Sequence, residues 1–178
     1  MHRNAVRTAT AFLAFAPTVA SAHPGHDGAG LIHGFLHPLG GVDHIIAMVA
    51  VGLLAARLGG RALWLVPASF VVTMAGAGLA GIAGAGLPYV ETGIAFSVVV
   101  LGAVAVFRVA MPVAAAMGLA AFFAVFHGYA HGIEMPETAS GLAYGAGFVV
   151  ATAMLHGVGI GLGLAIGQIG RSAVRRAA

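Results

Sequence analysis

Apolar residues crowd into five stretches, running roughly from Leu31 to Ala56, Leu63 to Leu87, Thr92 to Phe107, Met111 to Ile133 and Ala139 to Ile169, with short connections between them. A helix needs about 20 predominantly apolar residues to cross a bilayer. The pattern therefore predicts an all-α, polytopic integral membrane helix bundle of about five transmembrane helices, the third short and the fifth long. The fifth stretch carries Gly157, Gly159, Gly161, Gly163 and Gly167. It reads either as one tilted helix or as a helix broken near those glycines.

Ahead of the five stretches, residues 1–22 read as a secretory signal peptide. Arg3 and Arg7 form a positive n-region, Thr8 to Val19 a short apolar core, and Ala20-Ser21-Ala22 a cleavage site of small residues. The apolar run is short for a spanning helix, which is the alternative reading. Cleavage leaves a membrane domain of residues 23–178 that begins at His23 on the outer side.

Composition agrees with a membrane protein. The chain is 60% hydrophobic and 7% charged, against roughly 25% charged residues in ordinary soluble domains. Its 28 glycines suit close packing of membrane helices. Cysteine is absent, which removes disulfides, thiolate metal sites and iron–sulfur clusters from consideration. The sequence pI of about 10.2 is not a nucleic-acid signal. All eight basic side chains are arginines, and without Arg3 and Arg7 six remain against five acids. No basic stripe interleaved with aromatics is present, so nucleic acid is not a partner.

The arginines also predict an orientation. Arg57 and Arg61 fall between the first two stretches, Arg108 between the third and fourth, and Arg171, Arg175 and Arg176 after the fifth. The other two connections carry Glu91, and Glu134 with Glu137, and no arginine. The positive-inside rule then places the N terminus outside and the C terminus inside.

Two histidine clusters interrupt the apolar pattern: His37-Pro-Leu-Gly-Gly-Val-Asp43-His44 and Phe126-His127-Gly-Tyr-Ala-His131-Gly-Ile-Glu134. Ionisable groups at membrane depth are costly and mark ion or substrate pathways. Imidazoles mixed with carboxylates suit a borderline divalent metal ion. In the predicted orientation both clusters lie in the outer half of the membrane. His127 and His131 are one helical turn apart, and Glu134 falls on the same stripe. Gly128 and Gly132 form a small-xxx-small pair on an adjacent face. Pro38 suits the first turn of a helix, whereas Gly40-Gly41 weakens regular structure just before Asp43. Asp43 and His44 point about 100° apart on a helix, so both reach one site only where it lies between helices.

The remaining polar residues are less telling. A lone membrane histidine can simply hydrogen-bond across helices, and His156 in the fifth stretch divides evenly between that role and an inner station for an ion. His23, His26 and Asp27 read either as a metal-collecting tail or as a polar stub. His33 lies at the entrance of the first stretch, Met48 reads as core filling, and Glu91 and Glu137 as loop charges.

At the two clusters the chain resembles the HupE/UreJ family of hydrogenase and urease accessory proteins, regarded as nickel permeases. The resemblance covers nearly the whole chain and rests on H-P-x-x-G-x-D-H at His37 to His44 and F-H-G-x-x-H-G-x-E at Phe126 to Glu134. It implies a multi-pass protein of the bacterial inner (cytoplasmic) membrane that moves Ni²⁺, with Co²⁺ as the alternative cargo, and holds no permanently bound cofactor. It carries metal handling onto His37, Asp43 and His44, and onto His127, His131 and Glu134. Five residues separate His37 from Asp43, one more than in the signature of a broader class of nickel and cobalt transporters, so that class's geometry is not carried over.

Two other functions fit the residues less well. An intramembrane metalloprotease needs His-Glu-x-x-His, and Gly128 stands where that glutamate belongs. A haem-binding cytochrome would use facing histidines as axial ligands, but the adjacent carboxylates fit a bare metal ion better. There is no ATP-binding motif. The expected function is transport rather than catalysis, with the metal ion and the lipid bilayer as partners. The pairs Gly141/Gly145, Gly157/Gly161 and Gly159/Gly163 fit packing within one bundle or between protomers of a homo-oligomer.

Overall fold

The computed structural model describes residues 27–107, 109–135 and 140–177, and all its regular structure is helical. The elements are α1 (Asp27–Gly40), α2 (Val42–Leu58), α3 (Ala62–Ile82), α4 (Val90–Val106), α5 (Val113–Ile133) and α6 (Gly141–Ala177). The proposed signal peptide, with His23 and His26, lies outside the described residues.

The stretch from Leu31 to Ala56, expected as one helix, is two. α1 and α2 meet at Gly41 with a bend of 84°. Pro38 near the end of α1 has no N–H to continue the helical ladder, and Gly41 is extended at φ −103°, ψ 117°. The glycine pair is therefore a true break. The opposite holds at the other end of the chain, where α6 runs unbroken through all five of its candidate weak glycines. α4, with 17 residues, is about 25 Å long at 1.5 Å per residue, short of a hydrocarbon core of roughly 30 Å.

α3, α5 and the Gly141–Ile169 part of α6 are each long and apolar enough to cross a membrane, and the bent pair α1–α2 passes the same test only when taken together. Large side chains such as Val72, Leu79, Phe107, Leu142 and Ile169 are exposed by two-thirds or more. Soluble monomers rarely expose contiguous apolar surface on such a scale; lipid accepts it.

Small residues decide how the helices meet. A Cβ on Gly128 would overlap the Met74 carbonyl, and one on Gly132 the Gly78 carbonyl, so α3 and α5 lie backbone against backbone. Gly52 and Gly159 do the same for α2 and α6, as Gly34 and Gly147 do for α1 and α6. Of the glycines assigned to packing from sequence, Gly128, Gly132 and Gly159 have this role, Gly163 makes room for the Ala56 side chain and Gly141 stands beside Met135, whereas a Cβ at Gly145, Gly157 or Gly161 meets nothing. Met74 faces Gly128 and Gly78 faces Gly132, so α3 and α5 run parallel. Val49 faces Gly159 and Ala56 faces Gly163, so α2 and α6 are parallel too. Phe70 against His156 and Met74 against Thr152 make α3 antiparallel to α6. Between these pairs lies a core built from Met48, Val51, Leu54, Val66, Phe70, Met74, Leu101 and Phe123.

Candidate metal centre

The break at Gly41 brings the two histidine clusters together. It ends α1 with His37 in its last turn and starts α2 with Asp43 in its first, so the two sides of the first cluster approach α5 from different directions. α5 presents His127 and His131 one turn apart, with Glu134 at its C-cap.

At the outer end, His37 Nε2 donates to Glu134 Oε2 at 2.9 Å, with both side chains partly exposed. His131 completes this group: one donor atom from each of His37, His131 and Glu134 lies within 4.8 Å of the others. Among the described residues these three alone bring their donor atoms close enough to share one ion. Two nitrogens and an oxygen form a ligand set that a borderline cation accepts.

From this group the imidazoles continue inward as a file. The His37 and His131 rings meet edge to face with centroids 4.8 Å apart. His131 meets His44 at 4.6 Å, and His44 meets His127 at 4.8 Å. Phe70 then lies between His127 and His156, at 5.7 Å and 5.2 Å. His127, His131 and His156 are all buried. His127 lies six residues before the end of α5, and His156 is fifteen residues into α6, about 9 Å and 23 Å along their helices. His156 is thus the deepest member and stands apart from the other four imidazoles.

Asp43 is hydrogen-bonded to the histidine that follows it. One of its oxygens, Oδ1, accepts both the His44 backbone N–H at 2.8 Å and His44 Nδ1 at 2.9 Å. A carboxylate only accepts, so His44 carries its proton on Nδ1 and its lone pair on Nε2. The carboxylate thereby fixes the orientation of the imidazole, an arrangement also found behind metal-binding histidines. The contact depends on Gly41, whose Cβ would stand 2.7 Å from Asp43 Oδ1 and 2.9 Å from His44 Nδ1.

Buried polar groups normally find partners. Here His44 Nε2, His127 Nδ1 and both ring nitrogens of His131 and His156 have none among the described residues. Each buried group left so costs about 1–3 kcal/mol, a cost that a bound cation would offset. Tyr144 beside His37, its ring 5.9 Å away, and Phe148 against His131 at 3.8 Å wall the outer end.

Two further residues were missed from sequence. Ser97 Oγ and His127 Nε2 lie 2.8 Å apart in the core, and Phe70 separates the outer histidines from His156. Neither sits in a motif; a serine or phenylalanine in an apolar stretch carries no local sign of its partner. His33 is exposed on α1, Met48 belongs to the core, and Glu91 is exposed in the first turn of α4. Glu137 lies outside the described residues.

Comparison with known proteins adds a family. The family model described as "HupE / UreJ protein" matches residues 10–178. A curated relative from Rhizobium leguminosarum bv. viciae, named "Protein HupE", is 46% identical over 176 residues, covering 98% of this chain and 92% of the relative. No solved structure matches the chain.

Proposed function

This chain belongs to the HupE/UreJ family of hydrogenase and urease accessory metal transporters, and from that premise we propose that it imports Ni²⁺ across the bacterial inner membrane through the imidazole file. Co²⁺ is the alternative cargo. The observation that carries the reading is the file itself: four imidazoles in edge-to-face succession from a partly exposed His/Glu group to a fully buried His127.

The ion is captured by His37, His131 and Glu134 and exchanges part of its hydration shell for nitrogen and oxygen donors. It passes from His131 to His44 and His127, then inward past Phe70 to His156. A transport site must bind well enough to admit an ion and weakly enough to release it. A neutral imidazole offers one lone pair, so His131 cannot hold an ion in the outer group and serve a second ion deeper at the same moment. The ion advances by exchanging ligands, and no closed cage traps it.

Five spans with the N terminus outside remain our reading of the topology. The parallel pairing of α2 with α6 and α3 with α5, each pair opposed to the other, supports the alternation of spans, and the arginine distribution supports the side. α1–α2 then enters as a broken first span, and its break lines the route, where non-helical backbone at membrane depth is tolerated. Residues 1–22 are removed as a signal peptide in this reading, leaving His23 at the external N terminus.

The test is uptake of radioactive nickel by cells lacking their own nickel importers, with cobalt as competitor. Asp43→Ala is expected to lower the initial rate by about tenfold, the usual scale for losing a group that orients a metal-binding histidine, whereas Glu137→Ala retains it. Unchanged uptake in Asp43→Ala at equal expression would show that the site is wrong.

A further inference from the structure

α4 places no imidazole or carboxylate in the file, yet it reaches the file's inner end through one hydroxyl. Ser97 Oγ lies 2.6 Å from the Ile94 carbonyl and 2.8 Å from His127 Nε2, and Ser97 and His127 are both fully buried. A hydroxyl has one proton. A carbonyl oxygen cannot donate, so the short contact to Ile94 takes that proton. Ser97 Oγ is then left with lone pairs toward His127, and the proton between them belongs to the imidazole. His127 Nε2–H donates to Ser97, and Nδ1 carries the lone pair.

Nδ1 is the nitrogen of His127 that finds no protein partner among the described residues. We infer that Ser97 is a positioning residue that fixes His127 as its Nε2–H tautomer and so aims the Nδ1 lone pair at the ion. The inference deepens the transport reading and rests on it for the identity of the ion. It rests on hydrogen-bond geometry alone for the tautomer.

The helix is built to deliver that hydroxyl. Gly93, one turn before Ser97 and on the same face, lets the Phe126 ring lie against α4, where a Cβ would overlap the ring. That approach brings α4 within hydrogen-bond reach of the residue after Phe126. Ser97 and Asp43 then act alike from two different helices. Each holds the N–H of one imidazole, on Nε2 of His127 and Nδ1 of His44, and leaves the other nitrogen for the cation.

The experiment is nitrogen-15 NMR of histidine-labelled, metal-free protein in nanodiscs, alongside Ni²⁺ titration of the same preparations. His127 signals are assigned by their loss in His127→Asn. Wild type is expected to show a protonated Nε2 and an unprotonated Nδ1 at His127. Ser97→Ala should give a mixture of tautomers and weaken Ni²⁺ binding about tenfold, while Ser97→Thr, which keeps the hydroxyl, restores both. An Nδ1–H tautomer at wild-type His127 would overturn the inference without need of any variant, as would a Ser97→Ala protein with wild-type tautomer and affinity. A wild-type protein with the expected tautomer that binds no Ni²⁺ would support the hydrogen-bond assignment and sink the transport reading, which keeps the two failures distinct.

Discussion

Gly41 and Gly40 are neighbours with opposite requirements. A Cβ on Gly41 would press within 2.9 Å of both Asp43 Oδ1 and His44 Nδ1, closer than real side chains stand, whereas one on Gly40 meets nothing within 4 Å. Gly41→Ala is therefore expected to displace the Asp43–His44 pair and weaken Ni²⁺ binding about tenfold, and Gly40→Ala to leave binding unchanged. Titration of the purified variants reads this directly. Equal affinities would mean that Asp43 does not orient His44. At this scale the sequence was most legible for ligand candidates, because imidazoles and carboxylates in apolar stretches stand out. Their division of labour was not legible. No local pattern shows that Asp43 Oδ1 bonds to His44, and Ser97 is silent because its partner lies 30 positions away.

Helix contacts in a bilayer depend on close packing more than on burial of apolar area, and the bundle shows where that packing is obligatory. Gly128→Ala places a methyl group on the Met74 carbonyl and must part α3 from α5. It is expected to lower stability by about 1–3 kcal/mol, the usual range for overpacking, with loss of Ni²⁺ binding as His127 and His131 move with α5. Gly118→Ala, on the same helix and with nothing near the added carbon, should be neutral. Thermal unfolding in detergent separates the two, and equal midpoints would contradict the register of α3 on α5. The positions of α3, α4 and α5 were readable as apolar stretches because the spacing of charges bounds them. The 84° turn at Gly41 was readable only as a weakness. Gly34 and Gly52, on either side of the turn, both dock on α6, contacts that no local pattern displays. Whether α6 would break at its glycines was likewise beyond local reasoning, since Gly159 and Gly163 serve contacts with α2 and need not bend the helix.

Across the whole molecule, the helix directions put the His/Glu group at the opposite end from Arg57 and Arg61, and the proposed orientation makes the first the outer face and the second the inner. The absence of native cysteine makes this directly measurable. Single substitutions at exposed connections, Gly86→Cys between α3 and α4 and Ser140→Cys ahead of α6, should react with a membrane-impermeant maleimide in spheroplasts. Ala110→Cys between α4 and α5 should react only after permeabilisation. The reverse pattern would invert the path and place His156 nearer the outside than His37. The central claim, that this chain itself carries the ion along its imidazoles, is tested most directly by radioactive nickel uptake into liposomes holding only the purified protein. The account predicts entry well above empty liposomes for wild type and none above that background for His131→Ala, whose imidazole links the outer group to the file. Wild-type protein that moves no nickel, or a His131→Ala protein that moves it at the wild-type rate, would contradict it.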